Sequence, residues 1–260
     1  MEEVIDANAP KASECEQEAV KDKRNCLQIS VTEKIIFCID AMVLISALEE
    51  EDLFNELYDM LVLYIEMKRK ISVESVEFQC MLFYDNKKYF EIVINDVKHL
   101  RQVFMNLKQK DVERETGAFD FNVVFSSLAK IVHLPHPAVC SKSLPPPHVY
   151  HCVMLFGHNC NVPVMKQTNA FDFLIQSPFF TFDMVYIYNN LIEGNICDVI
   201  GHALYSLYDV VNGYFFPVSY VNVDKQYKVF AQLLGHPLIR QPQDRARFNL
   251  KELIAQENSK

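Results

Sequence analysis

The sequence predicts an α/β domain in which a doubly wound, mainly parallel sheet is covered by helices on both faces. Strand-like and helical segments alternate along most of the chain, which is the order found in sheets built from strand–helix–strand units. The strand-like segments are short continuous apolar runs, as expected for strands buried on both faces. Two of them are separated only by the turn signal "DNK", which adds one antiparallel edge strand.

Composition favours one folded domain with an acidic surface. The chain has 260 residues, half of them hydrophobic, with 19 Phe and 12 Tyr, which is enough for one sizeable core. Its net charge is −9, which argues against nucleic acid as a direct partner because phosphate binding needs clustered Lys and Arg. Residues 1–30 are acidic and carry no aromatic side chain, so we predict a disordered acidic arm there.

Cysteine usage and the lack of membrane or export signals predict a soluble intracellular protein. The eight cysteines include no CxxC pair, and several lie inside apolar strand-like runs, as small buried hydrophobes do in a reducing compartment. No apolar run approaches the roughly 18 residues of a membrane span, and the acidic N-terminus lacks the pattern of a signal peptide. The expected location is the cytoplasm and the nucleus, without membrane contact.

The domain is predicted over residues 31–240 and divides at a proline-rich break, "HPAVCSKSLPPPH". Proline removes a backbone donor and fixes φ, so neither a helix nor a central strand continues through this stretch. Before the break we predict, in order, strand 34–40, helix 53–70, strands 76–84 and 88–94, and helices 95–110 and 119–134. After it we predict strand 149–157, helix 169–176, strand 178–189, helix 195–211, strand 214–220 and helix 223–235.

Local signals support individual elements in that order. The first strand, "KIIFCID", is a continuous apolar run, and the helix after it has Leu57, Leu61 and Tyr64 at helical spacing. Asn95 or Asp96 stands where a cap is needed for the helix over 95–110. Gly235 stands where the last helix is expected to end.

Motifs of common enzyme classes are missing from the sequence. The six glycines form neither a phosphate-binding loop nor a GxGxxG turn, and no GxSxG, HExxH or HxH motif occurs. The nearest approach to a zinc cluster is "HVYHCVMLFGHNC", but on a strand His148 and His151 point to opposite faces, and the cysteine spacing matches no standard finger. We therefore interpret its metal-binding residue types as core and loop residues: His148, His151, Cys152, His158 and Cys160.

The end of the first strand resembles the start of the Mg²⁺ site of von Willebrand factor A domains. That site uses D-x-S-x-S after the first strand, a threonine from a second loop and an aspartate from a third, because Mg²⁺ requires hard oxygen ligands in octahedral geometry. Here Asp40 is followed by Met42 and Leu44, Thr116 stands near the second loop, and the third loop reads "GHN" without aspartate. We expect a degenerate site at Asp40, Met42, Leu44 and Thr116, with no bound metal and no other cofactor.

Four segments carry a resemblance to one family. They are "EKIIFCID", "LPPPHVYHCVMLFG", "SPFFTFDMVYIYN" and "AQLLGHPLIR". In this order, from about Thr32 to Arg240, they resemble the von Willebrand factor A-like scaffold subunit shared by BRISC and the nuclear BRCA-A complex, as a diverged member. The resemblance implies a Rossmann-type domain and a non-catalytic role. The family keeps a serine two residues after the aspartate, where this chain has Met42, which argues further against a bound ion.

The resemblance also implies partners. In this family the scaffold subunit holds together a deubiquitinase assembly whose catalytic subunit is a JAMM zinc metalloprotease that cleaves non-degradative, lysine-linked ubiquitin chains. A pseudo-enzyme partner and a subunit with ubiquitin-conjugating-enzyme-like domains complete the core, and the latter is the expected direct neighbour of this chain. A nuclear form serves the DNA-damage response, and a cytoplasmic form acts on signalling and mitotic substrates.

Two other functions fit the fold but lack their residues. A metal-dependent adhesion or ligand-binding domain of the von Willebrand A type needs an intact three-loop oxygen site. A doubly wound hydrolase or nucleotide-binding enzyme needs a glycine-rich or nucleophile loop at the carboxyl edge of the sheet. We therefore predict a non-enzymatic scaffold, with metal-dependent ligand binding as the alternative.

The C-terminal tail, residues 241–260, and the segment before it carry the candidate partner contacts. Pro237 fixes a short segment whose ordering cost on binding is reduced, and apolar residues line one side of a terminal helical pattern. One interpretation is that the tail docks on the ubiquitin-conjugating-like subunit, and the other is that it folds back on its own domain. The sequence favours neither. The candidate partner-binding residues are His236, Pro237, Leu238, Arg240, Leu250 and Leu253.

Overall fold

One six-stranded sheet organises the described part of the chain, in the order β3-β2-β1-β4-β5-β6. Its strands are β1 (Thr32–Asp40), β2 (Val76–Tyr84), β3 (Lys87–Val93), β4 (His148–Phe156), β5 (Phe180–Tyr188) and β6 (Phe215–Ser219). β1 is central and pairs in parallel with β2 and β4, and β5 and β6 extend the parallel set. β3 is antiparallel to β2 at one edge. The predicted mainly parallel sheet with one antiparallel edge strand is confirmed.

The structure is a computed structural model that describes residues 30–48, 51–108, 117–136, 145–188, 196–208 and 213–243. The chain divides into two units, residues 1–30 and 31–260. The predicted acidic arm lies almost entirely outside the described residues, and so does the tail beyond residue 243. Both stay predictions.

The described helices cover both faces of the sheet, as a doubly wound fold requires. They are α1 (Ala41–Leu48), α2 (Glu51–Ile71), α3 (Val97–Lys108), α4 (Phe121–Ile131), α5 (Asn169–Ile175), α6 (Cys197–Tyr208) and α7 (Val223–Leu233). Helices α1, α2, α3 and α7 pack on one face, around residues such as Phe37 and Val153. Helices α4, α5 and α6 pack on the other, around Cys38 and Phe182. The fold is consistent with a von Willebrand factor A-like domain of Rossmann type.

No described helix has the length and apolar character of a membrane span.

The hairpin between β2 and β3 turns at Asp85 and Asn86, whose φ angles are 50° and 51°. Asp and Asn tolerate this left-handed conformation, which two-residue hairpin turns require. The Asn86 side chain also donates to the carbonyl of Ala118 at 3.0 Å and accepts from the Asp120 N–H at 2.7 Å. The turn is therefore tied to the residues that begin α4.

Helix boundaries differ from the predicted ones where a capping residue intervenes. The helix predicted over 119–134 begins only at Phe121, because Asp120 has an extended backbone and its carboxylate accepts from the Asn122 N–H. The last helix ends at Leu233, with Leu234 as its C-cap, two residues before Gly235. A separate short helix, α1, begins directly after Asp40.

Side chains occupy much of the free edge of β6. The Gln243 amide accepts from the Phe215 N–H at 2.8 Å and donates to the Phe215 carbonyl at 2.7 Å. Pro217 has no N–H to offer, and Lys225 Nζ donates to its carbonyl at 2.9 Å. A sheet edge filled in this way offers few backbone groups to an added strand.

Candidate functional site

Asp40 lies at the carboxyl end of β1, fully buried. Its Oδ1 accepts from the Met42 N–H at 3.1 Å. Its Oδ2 accepts from the Gly157 N–H at 2.9 Å and lies 2.8 Å from His158 Nδ1, the geometry of an imidazole donating to a carboxylate. Protein donors therefore contact both oxygens that a metal would use.

The loop after β4 supplies two of these donors and is itself held in place. A side chain on Gly157 would put its Cβ 2.7 Å from the Val43 side chain and 2.8 Å from the Val43 backbone nitrogen, so this close approach to α1 requires glycine. The His158 ring stacks on Phe156, with centroids 5.8 Å apart. Asn159 donates to the Gly157 carbonyl at 2.9 Å and accepts from the Tyr186 hydroxyl at 3.1 Å. An imidazole thus stands at the loop that would supply the third aspartate.

The other residues of the predicted degenerate site add no oxygen ligand in the described part of the chain. Met42 and Leu44 are buried apolar side chains, and Thr116 lies outside the described residues. The His and Cys residues of "HVYHCVMLFGHNC" form no group: among the described residues, three or more His, Cys, Asp or Glu nowhere come together in a way that could hold a metal ion. The expectation of no metal stays a prediction, and the contacts of Asp40 supply a physical reason for it.

A buried charge network lies toward the amino ends of the strands, on the face covered by α2 and α7. Lys68 Nζ of α2 lies 2.5 Å from Glu33 Oε2 of β1, and Glu33 Oε1 lies 2.9 Å from His151 Nδ1 of β4. His151 Nε2 lies 2.6 Å from Asp183 Oδ2 of β5. Arg240, beyond α7, donates from both terminal nitrogens to Asp183 at 2.5 Å. One chain of polar contacts therefore joins α2, three strands and the segment after α7.

His151 lies between the two buried carboxylates of the network. Its Nδ1 faces Glu33 and its Nε2 faces Asp183. Lys68 contacts the other oxygen of Glu33, and Arg240 contacts both oxygens of Asp183. Each carboxylate is therefore enclosed by the imidazole on one side and by a basic side chain on the other.

The network shifts the pKa of its acids and bases in directions set by burial and by charge. Burial raises the pKa of Glu33, but the hydrogen bond and charge of His151 and the charge of Lys68 outweigh it, so the pKa lies below its ordinary value of 4.5. Burial also opposes ionisation of Asp183, yet Arg240 and His151 bring its pKa far below 3.8. Burial lowers the pKa of Lys68, and Glu33 offsets part of this effect. The two carboxylates are thus anions in the folded protein.

These shifts predict a loss of stability in acid. A carboxyl group whose folded pKa lies below its unfolded pKa contributes stability above the unfolded value and loses it as pH falls through the folded value. For Glu33 and Asp183 the loss begins near their ordinary values of 4.5 and 3.8. We expect the free energy of unfolding, from urea titrations at fixed pH, to fall steadily from about pH 5 to about pH 2. In the variant Glu33→Gln/Asp183→Asn the free energy of unfolding should fall less steeply with decreasing pH than in the wild type. An equally steep fall in both proteins would contradict the assignment of the acid sensitivity to these two carboxylates.

The segment after α7 folds back on its own domain as far as residue 243. The Arg240 guanidinium lies 4.0 Å from the centroid of the Tyr214 ring, and the Tyr214 hydroxyl donates to the Gln241 carbonyl. The Tyr214 N–H donates to Asp183 at 2.6 Å. Arg240 therefore contacts its own domain, and both of its terminal nitrogens donate to Asp183. The two interpretations of the tail stay open. Leu250 and Leu253 lie outside the described residues, and partner binding at the remaining positions stays a prediction.

The charge network was not among the features predicted from the sequence, although the sequence carries a signal for it. Each of the four segments that carry the family resemblance contains one residue of the network: Glu33, His151, Asp183 and Arg240. In three of these segments a charged or titratable residue interrupts or begins an apolar strand, which is unusual for a buried strand unless the residue is paired. The fifth member, Lys68, gave no signal, because a cation near the end of a helix is ordinarily solvent-exposed.

Comparison with known proteins agrees with the resemblance seen in the four segments. The protein named BRISC and BRCA1-A complex member 1 from Xenopus laevis is 23% identical over 235 residues, which cover 86% of this chain and 70% of that protein. Its namesakes from Danio rerio and Homo sapiens are 23% and 24% identical over 237 residues, covering 86% of this chain and 62% and 70% of theirs. Over most of its length this chain is thus similar, at low identity, to proteins named BRISC and BRCA1-A complex member 1. The name of these proteins describes a member of a complex. A comparison of the chain with models of protein families finds no match.

Solved structures are also similar to this chain, at low sequence identity. A mutant of the PilB minor pilin from Streptococcus sanguinis gives a TM-score of 0.47 at 9% identity, covering 81% of this chain and 62% of that one. Proximal thread matrix protein 1 from the mussel byssus gives 0.45 at 10% identity, covering 78% of this chain and 45% of that one.

Proposed function

We propose that this protein is a non-catalytic scaffold subunit of a BRISC-like deubiquitinase complex. The observation that carries the proposal is the similarity, over 86% of the chain, to proteins named as members of the BRISC and BRCA1-A complexes. In this role the chain binds the subunit with ubiquitin-conjugating-enzyme-like domains and so stabilises the JAMM metalloprotease and its pseudo-enzyme partner. The complex cleaves non-degradative, lysine-linked ubiquitin chains in the cytoplasm and, in a BRCA1-A-like form, in the nucleus during the DNA-damage response.

The chemistry of the described domain supports a binding role over a catalytic one. The charge network is almost completely buried, and even the Arg240 side chain is only 9% exposed. A catalytic acid or base must reach its substrate within hydrogen-bond distance, and these buried groups contact one another and Tyr214. Asp40, the ligand that a metal-dependent domain would require, is likewise enclosed by its own donors.

A short turn after α7 presents two apolar side chains to solvent and is the surface we assign to the partner. The Ile239 and Arg240 N–H groups donate to the His236 carbonyl at 3.0 and 3.1 Å, and the Leu238 N–H donates to His236 Nδ1 at 3.2 Å. Because Arg240 is held by Asp183, the turn is ordered before any partner binds, which lowers the entropy cost of binding. Leu238 and Ile239 are 39% and 49% exposed.

Replacing one of these side chains is expected to weaken capture of the partner. Affinity purification of the tagged protein from its own cells, followed by mass spectrometry, should recover a JAMM metalloprotease and a ubiquitin-conjugating-like subunit. We expect Leu238→Asp to lower that recovery about tenfold, since burying an unpaired carboxylate in an apolar contact costs more than 1.4 kcal/mol.

The control is Val221→Asp, which puts the same charge on an exposed apolar side chain before the start of α7. It should leave recovery unchanged. A wild-type protein that is recovered without partners, or that is catalytically active alone, would overturn the proposed function. Unchanged recovery with Leu238→Asp would refute only the assignment of this turn.

A further inference from the structure

A cleft of about 470 Å³ opens between α6 and the last two strands. Aromatic side chains form much of its wall: Tyr186 and Tyr188 of β5, Tyr205 of α6 and Phe215 of β6. The rings of Tyr186 and Tyr188 have centroids 5.7 Å apart, and those of Tyr205 and Phe215 are 6.2 Å apart. Tyr186 and Phe215 are buried, whereas Tyr205 is 53% exposed. The aromatic wall therefore runs from the core out to solvent.

The lining of this cleft attracts positive charge. Asp198, in the first turn of α6, contributes a carboxylate, and no Lys or Arg is among the described residues that line the cleft. The faces of aromatic rings are also negative, because the π electrons form a quadrupole. The carboxylate and the rings thus both favour a cation, and the net charge of −9 on the whole chain adds to that attraction.

Gly201 leaves open space between the carboxylate and an exposed ring. Asp198, Gly201 and Tyr205 follow one another at spacings of three and four residues, which places them on one face of α6. Glycine destabilises a helix interior relative to alanine. Packing within the domain does not require it here, because a Cβ would meet no atom within 4 Å apart from its neighbours along the helix. The gap it leaves lies between two groups about 10 Å apart along the helix, which is room for a ligand that contacts both.

An arginine side chain matches both features of the lining. Its planar guanidinium stacks on an aromatic face while its N–H groups donate to a carboxylate, and it is more weakly hydrated than the ammonium group of lysine. The domain itself shows this combination elsewhere, since the Arg240 guanidinium lies 4.0 Å from the centroid of the Tyr214 ring and donates to Asp183. A neutral apolar side chain would cover the rings but leave Asp198 without an opposite charge.

We infer that the cleft between α6 and the last two strands binds an arginine side chain of a partner protein. The guanidinium stacks on Tyr205 and pairs with Asp198 in the space beside Gly201. An arginine held in this way is a common central contact of protein interfaces. The inference does not depend on membership in a deubiquitinase complex.

Binding of single amino-acid amides to the full-length protein tests the site directly. The protein is labelled with fluorotyrosine, and the fluorine NMR signal of Tyr205 is identified as the one lost in Tyr205→Phe. N-acetyl-arginine amide should shift this signal saturably, with a dissociation constant of about 1 mM for a ligand of its size. The citrulline amide, which has the same shape without the charge, and the lysine amide should each bind about tenfold more weakly. Equal affinity for either of them, or no saturable shift with the arginine amide, would overturn the inference.

Two pairs of variants show whether Asp198 and Gly201 form the site. Asp198→Asn should weaken binding of the arginine amide about tenfold, because it removes the charge from a charge-assisted hydrogen bond. Asp224→Asn makes the same change in the first turn of α7, outside the lining, and should have no effect. Gly201→Phe fills the gap and should abolish the shift, whereas Val199→Phe adds the same ring at an exposed position of α6 that does not line the cleft and should preserve it. Unchanged affinity in Asp198→Asn or in Gly201→Phe would contradict the site.

Crosslinking in the protein's own cells tests whether the arginine belongs to a partner protein. A photoreactive benzoyl-phenylalanine replaces Val199, which is 54% exposed beside the cleft, and mass spectrometry maps the products after irradiation. We expect crosslinks to a second protein within a few residues of an arginine, with a yield about tenfold lower when Asp198→Asn is added. Crosslinks only to copies of this chain, or only to partner segments without arginine, would refute the assignment.

Discussion

Replacing Asp183 by alanine is expected to lower the free energy of unfolding by about 3–5 kcal/mol, the range for removing one partner of a buried ion pair. The substitution leaves the Arg240 guanidinium and one nitrogen of His151 without their acceptor in the interior. It also removes the acceptor of the Tyr214 N–H. Urea-induced unfolding followed by circular dichroism measures the change.

Two further variants show whether the loss of stability in Asp183→Ala comes from a buried charge that has no partner. Asp183→Ala/Arg240→Met removes the unpaired guanidinium and should recover part of the lost stability, because replacing a whole buried pair is far less costly than breaking it. Lys34→Ala breaks the Lys34–Glu77 pair, whose side chains are 29% and 59% exposed, and should cost less than about 1 kcal/mol. A loss below about 1 kcal/mol for Asp183→Ala itself would contradict the network.

Replacing Asp40 by alanine is expected to cost about 2–4 kcal/mol, because each buried donor left without an acceptor costs about 1–3 kcal/mol and neighbouring losses are not additive. The donors are the N–H groups of Met42 and Gly157 and the imidazole of His158. Thermal unfolding of the wild type and of Asp40→Ala, each with and without millimolar Mg²⁺, measures both the cost and any metal binding.

The two explanations of Asp40 give opposite results in that experiment. If Asp40 serves only its protein donors, Mg²⁺ leaves the melting temperature of the wild type unchanged. A metal bound to the folded state would raise that temperature by mass action, and Asp40→Ala would abolish the rise. Such a rise would restore the metal-dependent alternative.

The architecture was predictable because each strand and helix is encoded by neighbouring residues. Continuous apolar runs gave the parallel strands, and "DNK" gave the hairpin, whose turn residues Asp85 and Asn86 adopt the required positive φ. The boundaries were less predictable, because a cap such as Asp120 depends on which hydrogen bonds the folded chain offers. The short helix α1 follows a strand with no polar turn between them, so composition gave little sign of where one element ends.

The charge network was not predictable from local patterns, because its members meet only across the folded sheet. Lys68 belongs to the basic run "MKRK" in the last turn of α2, where a cation is ordinarily solvent-exposed, yet it is 1% exposed and paired with Glu33. At Asp40 the sequence revealed which oxygen ligands are missing but not what replaces them. The replacement is an imidazole from a loop on the neighbouring strand, and only the parallel pairing of β1 with β4 brings it there.

The central position of β1 has a consequence for synthesis on the ribosome. Among the described strands β1 is made first, but one of its two neighbours, β4, is on the order of 100 residues further along the chain. Until β4 emerges, one side of β1, whose middle is the continuous apolar run "IIFCI", has no partner strand, and such exposed edges are prone to aggregate. Nascent chains of this protein should therefore depend on chaperones most strongly between completion of the β2–β3 hairpin and appearance of β4.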